Sequence, residues 1–234
     1  MFERLSWQYA FPAAARQPAK VSVSTLRRQA EEALQDDEAQ AWTKPSIIKR
    51  EPAAGRASAV EIGLAHHRFL QHVRLDRVSS VAELRREAGR LQAENILSPA
   101  ECAGLDFDAM AAFWNSEPGR GFAERRGEVR RELAFTARFS AAELAACTGR
   151  QPAADLAGES ILVQGVVDLA CILPDEIRVL DFKTDRVQEA ELESRTAHYR
   201  PQLELYARAL ERIYGRPVRQ RSLYFLAVRR AVAL

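Results

Sequence analysis

Apolar residues recur along this chain first with a helical period and then, from Glu128 onward, with the period of a strand. Between about Ala57 and Val73 the polar residues Glu61, Arg68 and His72 fall on one helical face, and apolar residues cover most of the rest, which predicts a largely buried helix. Ser80 with Glu83, and Ser98 with Glu101, are Ser-x-x-Glu starts in which serine caps a backbone N–H and glutamate returns the bond. They predict helices near 81–95 and 99–115, so that three helices precede any strand. In EVRRELAFTARF, charges interleave with Val129, Leu133, Phe135, Ala137 and Phe139, predicting a strand over about 129–139. A polar, alanine-rich excursion at 140–159 leads to ILVQGVVDLACIL, the turn Pro174-Asp175-Glu176, and IRVLDFK, which together predict a β-hairpin. A helix from about His198 to Tyr214, stopped by Gly215 and Pro217, and a strand SLYFLAV at 222–228 close the chain. Helix, three antiparallel strands, helix and strand describe an α/β or α+β fold with a central mixed sheet.

Ahead of this block, Ser24 introduces a helix expected from Thr25 to about Ala41. Residues 43–58 combine two prolines, a glycine and several charges and read as a linker. The expected division is therefore a lead segment and linker over 1–56 and a main domain over 57–234. No internal repeat is visible. No stretch approaches about 18 uncharged apolar residues, and the start lacks the pattern of a cleaved leader, which points to a cytoplasmic protein without a membrane anchor. Cys102, Cys147 and Cys171 form no C-x-x-C pair, so neither a zinc site nor a disulfide framework is expected, and three thiols fall short of the four that an iron–sulfur cluster usually takes.

The formal net charge is only +2, but it is unevenly distributed. Residues 186–234 hold ten arginines against five glutamates, a surplus able to contact phosphates or simply to solvate a helix face. Lysine is rare: Lys20, Lys44, Lys49 and Lys183 are all there are, and Lys183 sits between two acidic residues in an otherwise apolar strand. Alternation puts Asp181 and Lys183 on one face of that strand and Phe182 on the other, while Asp168 on the partner strand can come alongside Asp181. Two carboxylates and an ammonium then converge in an apolar setting, where they are costly unless a cation or partner compensates them. Such a cluster suits phosphodiester hydrolysis with a hard cation: the carboxylates bind it, it activates water, and the ammonium orients that water or offsets developing charge. Gly165, inside the same strand as Asp168, marks a bulge or the close approach of another group.

GVVDL at 165–169 and LDFKTD at 180–185 resemble the paired strand motifs of RecB-like nucleases in the PD-(D/E)XK superfamily. Gly63 with His67 matches that family's G-x-x-x-H, and Gln202 with Tyr206 its Q-x-x-x-Y. The flanks WQYAFPAAARQPAKVSVSTLRR, GLAHHRFLQHV and LYFLAV are similar to the C-terminal nuclease domain of the AddA subunit of AddAB helicase–nucleases. The resemblance implies the PD-(D/E)XK core fold, Mg²⁺ or Mn²⁺ held by His67, Asp168, Asp181 and the Phe182 carbonyl, and Lys183 placing the attacking water. It also implies Gln202 and Tyr206 lining the DNA path. Leu64 departs from the threonine usual after this glycine and reads as a packing change. Periodicity leaves both His66 and His67 free to point inward. Gly63, one turn before His67, would leave a notch for an imidazole to cross, and the family spacing selects the same residue.

The chain has no G-x-x-x-x-G-K-[ST], so it carries no ATP motor of its own. The expected function is metal-dependent hydrolysis of DNA, in particular of single-stranded ends delivered by a helicase domain, with an AddB-type partner subunit, in break repair and recombination. The competing reading is a nuclease-fold module that binds DNA or a partner without cutting, which the intact Asp168, Asp181 and Lys183 argue against. A small-molecule metallohydrolase would call for more histidine ligands than the four histidines supply.

Overall fold

A computed structural model of the chain describes residues 20–28, 58–149 and 160–234. The elements in order are β1 (Lys20–Ser22), helices α1 (Ala59–His72), α2 (Val81–Ala93), α3 (Pro99–Gly104), α4 (Phe107–Asn115) and α5 (Glu117–Glu124), then β2 (Val129–Ser140) and α6 (Ala141–Thr148). After these come β3 (Ser160–Ile172), β4 (Ile177–Lys183), a 3-10 turn (Glu189–Glu191), α7 (Leu192–Tyr214), β5 (Val218–Phe225) and β6 (Arg230–Ala233). The expected mixed α/β architecture is present. Residues 23–28 are helical, and the rest of the helix expected to Ala41 and most of the 43–58 linker lie outside the described residues.

Several expectations change: the strand β1 precedes the helical block, which holds five helices where three were expected. The helix expected over 99–115 is two, because the chain turns between Leu105 and Asp106 and restarts with Asp106 as a new cap on the Ala109 N–H. Ser98 and Glu101 form the full reciprocal box, whereas Glu83 turns away from Ser80 to bond Ser79. Within 140–159, Ser140 and Glu143 form another such box and start α6. The long helix begins at Leu192 and carries Pro201 inside it. α1 is less buried than its periodicity suggested: Val60 is 72% and Leu64 58% exposed, so Leu64 is a surface residue and not a repacked core position.

Among the described residues the sheet has six strands. β2 runs antiparallel along one edge of β3, from Val129 opposite Cys171 to Ser140 opposite Ser160. The other edge of β3 is shared: β1 pairs in parallel at 162–164, and β4 pairs antiparallel at 169–172. β5 continues the sheet in parallel beyond β4, and β6 turns back on it. Residues 165–168 therefore face a fork between β1 and β4.

The β2–β3 pairing lapses at Glu132 and Asp168, and there Glu132 takes a left-handed backbone with φ 48°. On one side of this lapse Phe135, Ala137, Val163 and Val167 pack with Leu205 and Leu210 of α7. On the other, Val129, Leu169 and Cys171 pack with Phe69, Leu84 and Phe113 of the helices α1–α5. Val167 and Leu169 are two residues apart and regular alternation would put them on one face, so the strands exchange faces at the acidic pair. A left-handed non-glycine residue costs about 1–3 kcal/mol, and the two cores it connects hold it in place.

A candidate active site

The fork in the sheet gathers the charged residues. β4 leaves β3 after Leu180 pairs with Leu169, and Asp168 bridges the opening by accepting the Phe182 N–H at 2.7 Å through Oδ2. The N–H and C=O of one strand residue point to the same neighbour, so the Phe182 carbonyl is also aimed at the fork. The Phe182 ring turns the other way, edge-on against Phe113 and Tyr224. The alternation expected along β4 thus holds, with Asp181 (2% exposed) and Lys183 (8%) both on the face toward α7.

From α7, Gln202 holds these two together. Its Nε2 donates to Asp181 Oδ1 at 2.8 Å and to the Tyr206 hydroxyl at 2.8 Å, and its Oε1 accepts Lys183 Nζ at 3.0 Å. Lys183 Nζ also lies 2.6 Å from Asp181 Oδ2. That oxygen is fully buried and lacks a well-aligned donor, so the ion pair leaves its lone pairs incompletely used. Tyr206 is buried at the floor of an open cleft whose walls include Ser22, Phe135 and Gln164. Gln202 and Tyr206 accordingly belong to the same hydrogen-bonded group as the charged residues.

Of the two adjacent histidines, His67 reaches the acids. Its Nδ1 lies 3.3 Å from Asp168 Oδ1 and 3.6 Å from Glu132 Oε1. His66 is occupied elsewhere: Nδ1 meets the Ile62 carbonyl at 2.8 Å and Nε2 accepts the Asp106 N–H at 2.9 Å, tying α1 to the start of α4. Burial lowers the His66 pKa, consistent with a neutral ring that donates from one nitrogen and accepts at the other. Gly63 has a different reason from the notch expected for His67. A Cβ there would come 2.9 Å from Thr184 Oγ1, so the glycine lets α1 approach the end of β4. The other end of α1 is fastened by Arg131, whose guanidinium donates to the Leu70 carbonyl at 3.2 Å and to that of Val73. Gly165 likewise permits a close approach, because a Cβ there would meet the Phe135 ring at 2.6 Å. That ring packs edge-on against Tyr206.

Glu132 is the residue that sequence reasoning passed over. His67, Glu132 and Asp168 place one ligand atom each within 4.8 Å of one another, a group able to hold a metal ion among the described residues. A signal was present: Arg131 occupies an odd position of β2, where Val129, Leu133 and Phe135 call for an apolar residue, so the alternation was already broken beside Glu132.

Electrostatics show what the cluster lacks. Burial opposes charge on His67, but hydrogen bonds to Asp168 and Glu132 and the charges of Asp168 and Asp181 prevail and raise its pKa to about 10. Asp181 is pushed upward, by burial first and then by Asp168, against the pull of Lys183. Tyr206 is raised well above its ordinary value by burial and by the charges of Asp181 and Asp168. Glu132, Asp168 and Asp181 carry three negative charges against one positive charge on Lys183, which leaves two to be matched when His67 is neutral. The site therefore draws in a proton, and a divalent cation would meet the same demand with the same oxygen-rich donors. The residues present fit such an ion.

Residues 43–232 match the PD-(D/E)XK nuclease superfamily. The chain is 33% identical over 242 residues to the AddA subunit of the ATP-dependent helicase/nuclease of Bacillus licheniformis, covering 95% of this chain and 18% of that protein. It is 34% identical over 232 residues to the subunit of the same name from Moorella thermoacetica, covering 95% and 16%. The corresponding protein of Carboxydothermus hydrogenoformans is 32% identical over 218 residues, covering 93% and 18%. The chain thus spans less than a fifth of the length of these relatives. It belongs to the PD-(D/E)XK nuclease superfamily and is similar to the nuclease portion of AddA-type helicase/nucleases.

Proposed function

We propose that this domain hydrolyses DNA strands with Mg²⁺ or Mn²⁺ at the fork between β3 and β4. The observation that carries the reading is the buried Asp181–Lys183 pair beside Asp168, Glu132 and His67, a group with more carboxylates than Lys183 can match. His67, Asp168, Asp181 and the Phe182 carbonyl would hold the ion, and Glu132 lies in reach to join them or to orient His67. When bound, the metal supplies Lewis acidity toward the phosphate and an acidified water.

The protein's own groups do the rest. Gln202 fixes Asp181 and Lys183 relative to each other through its two ends. Lys183 has three donors, of which Gln202 takes one and Asp181 draws another, and the third can hold the attacking water or meet charge developing on the phosphate. Tyr206, which lines the open cleft, and Gln202, bonded to it, would border the path of the strand. In-line attack by water with the 3′-oxygen as leaving group would give a 5′-phosphate and a 3′-hydroxyl.

The relatives are named as parts of ATP-dependent helicase/nucleases. We read this domain accordingly as the cutting part of such an assembly, with a helicase portion delivering single strands and an AddB-type second subunit beside it. Its place is the cytoplasm, where the DNA is; none of the described helices is long and apolar enough to cross a membrane.

End-labelled single- and double-stranded DNA, incubated with Mg²⁺ or Mn²⁺ and then with EDTA, tests the reading. Cleavage is expected with either metal and none with EDTA. Asp181→Ala and Lys183→Ala should each abolish cleavage in a folded protein, but only Asp181→Ala should weaken Mn²⁺ binding by calorimetry, because an ammonium is not a ligand. Equal loss of metal affinity in both variants contradicts the roles. Binding of DNA without cleavage under any metal would favour a silent module instead.

A further inference from the structure

The face of α7 that carries Gln202 and Tyr206 also carries Tyr199, and neither the paired strand motifs nor the metal chemistry accounts for it. Lys183 Nζ sits over the Tyr199 ring, 3.8 Å from its centroid. The hydroxyl of the same ring donates to Asp185 Oδ2, in the loop two residues beyond Lys183. Tyr199 is 6% exposed, with His198 edge-on to its ring at 4.7 Å and Phe225 tilted against it at 6.3 Å. Arg27 of the lead segment lies over the ring as well, 4.9 Å from the centroid.

We propose that Tyr199, braced by Asp185, is a positioning residue of the nuclease site whose ring carries the Lys183 ammonium on its face. The proposal rests on the reading of Lys183 as the group that places the attacking water.

The reason lies in what a cation does to the neighbours of Lys183. Without it, Asp181 Oδ2 holds the ammonium at 2.6 Å. A divalent ion on Asp181 draws that carboxylate's charge to itself and repels the ammonium, leaving Gln202 as a single neutral acceptor. An aromatic face attracts an ammonium without offering the metal a competing oxygen or taking the lysine's proton. The attraction is strongest where water is excluded, and Lys183 is 8% exposed. The Asp185 carboxylate on the phenol hydroxyl adds electron density to the ring and fixes its plane. That bond also explains how one ring tolerates two cations. Asp185 comes two residues after Lys183, so the loop leaving β4 sets the ring against the lysine that β4 supplies.

Two measurements on the full chain test this. With four lysines in the sequence, a sample labelled at the lysine ε-carbon gives four methylene signals, and Lys183→Arg identifies the one from Lys183. Ring current should shift that signal upfield in the wild type and in Tyr199→Phe, and Tyr199→Leu should return it to the position of an exposed lysine. In Mg²⁺-dependent cleavage of a single-stranded oligonucleotide, Tyr199→Leu should lower kcat by roughly 30-fold, with KM for DNA and Mn²⁺ affinity within about twofold of wild type. Tyr199→Phe, which keeps the ring but loses the brace, and Asp185→Asn should each lower kcat by only about threefold. An unshifted Lys183 signal in the wild type, or wild-type kcat in a folded Tyr199→Leu, overturns the proposal. Should the wild type fail to cleave DNA with either metal, the nuclease reading falls and takes this inference with it. Wild-type cleavage by Lys183→Ala overturns the role of the lysine instead.

Discussion

The two halves of the β2–β3 ribbon use one register to opposite ends. From Leu133 to Ser140, opposite 160–167, its inward side chains pack beneath α7 and α6; from Val129 to Arg131, opposite 169–171, Val129, Leu169 and Cys171 pack beneath α1–α5, and Ala170 takes the side toward α7. A uniform ribbon would bury one face and keep a carboxylate on the other in water. At the exchange of faces, Glu132 and Asp168 belong to neither core, and groups from both sides reach them: His67 from α1, and Asp181 with Lys183 from the α7 side. A seam between two cores thus places acids next to an imidazole and an ammonium without a loop insertion.

The largest break in this comparison should come from Asp168, which belongs to the seam by charge and by hydrogen bonding. Asp168→Ala is expected to abolish cleavage. It also leaves the Phe182 N–H without its acceptor, which costs about 1–3 kcal/mol. Asp168→Asn can keep that bond through its carbonyl oxygen, so it should lose cleavage while melting within a few degrees of wild type. Equal melting temperatures for the two variants would show that Asp168 does not stitch the fork.

Gly165 tests the half beneath α7 alone. Gly165→Val forces the Phe135 ring from its place against Tyr206, and overpacking of this kind costs about 1–3 kcal/mol. Chemical denaturation should recover most of that loss in the double variant Gly165→Val/Phe135→Leu, whereas a variant at Phe69 in the other core should combine additively with Gly165→Val. Additivity in both pairs would mean that no direct clash exists.

Glu132→Gly separates strain from chemistry at the seam. Glycine accepts φ 48° freely, so the variant should unfold no more easily than wild type even though a strand interior usually disfavours glycine. Cleavage should fall at least tenfold. Loss of stability by more than about 1 kcal/mol would refute the reading of this residue as strained.

The smallest effect expected is a pH dependence in the metal-free protein. The folded-state pKa of His67 is raised from 6.5 to about 10, so the native state holds that proton more tightly than the unfolded chain. The resulting stability is fully present below pH 6.5 and is lost as pH rises toward 10. Its size is limited because the ring is about a third exposed. Thermal melts in EDTA should show the wild type losing more stability over this window than His67→Gln, and identical slopes would remove the imidazolium from the seam.

Much of this molecule is legible from local sequence. Ser98 with Glu101 starts α3, Pro174-Asp175 turns the hairpin, and Asp181 and Lys183 share a face, because caps, turns and alternation are set by residues a few positions apart. The family motifs singled out His67 over His66 where periodicity could not, and the structure brings His67 to the acids.

The residues that were missed act across long separations in sequence. Glu132 stands 36 positions before Asp168, and nothing local to EVRRELAF states that its backbone turns left-handed. The purpose of Gly63 lies 121 positions away at Thr184, and Tyr199 meets Lys183 only because α7 returns over β4. By itself the sequence determined most of the long elements, the hairpin and the acid–acid–lysine set, since short-range hydrogen bonding and side-chain period decide those, but not the short strands β1 and β6 or the helix α5. Tertiary structure alone decided where the sheet exchanges faces. That exchange depends on two cores competing for opposite sides of one ribbon, and neither core exists until the chain has packed.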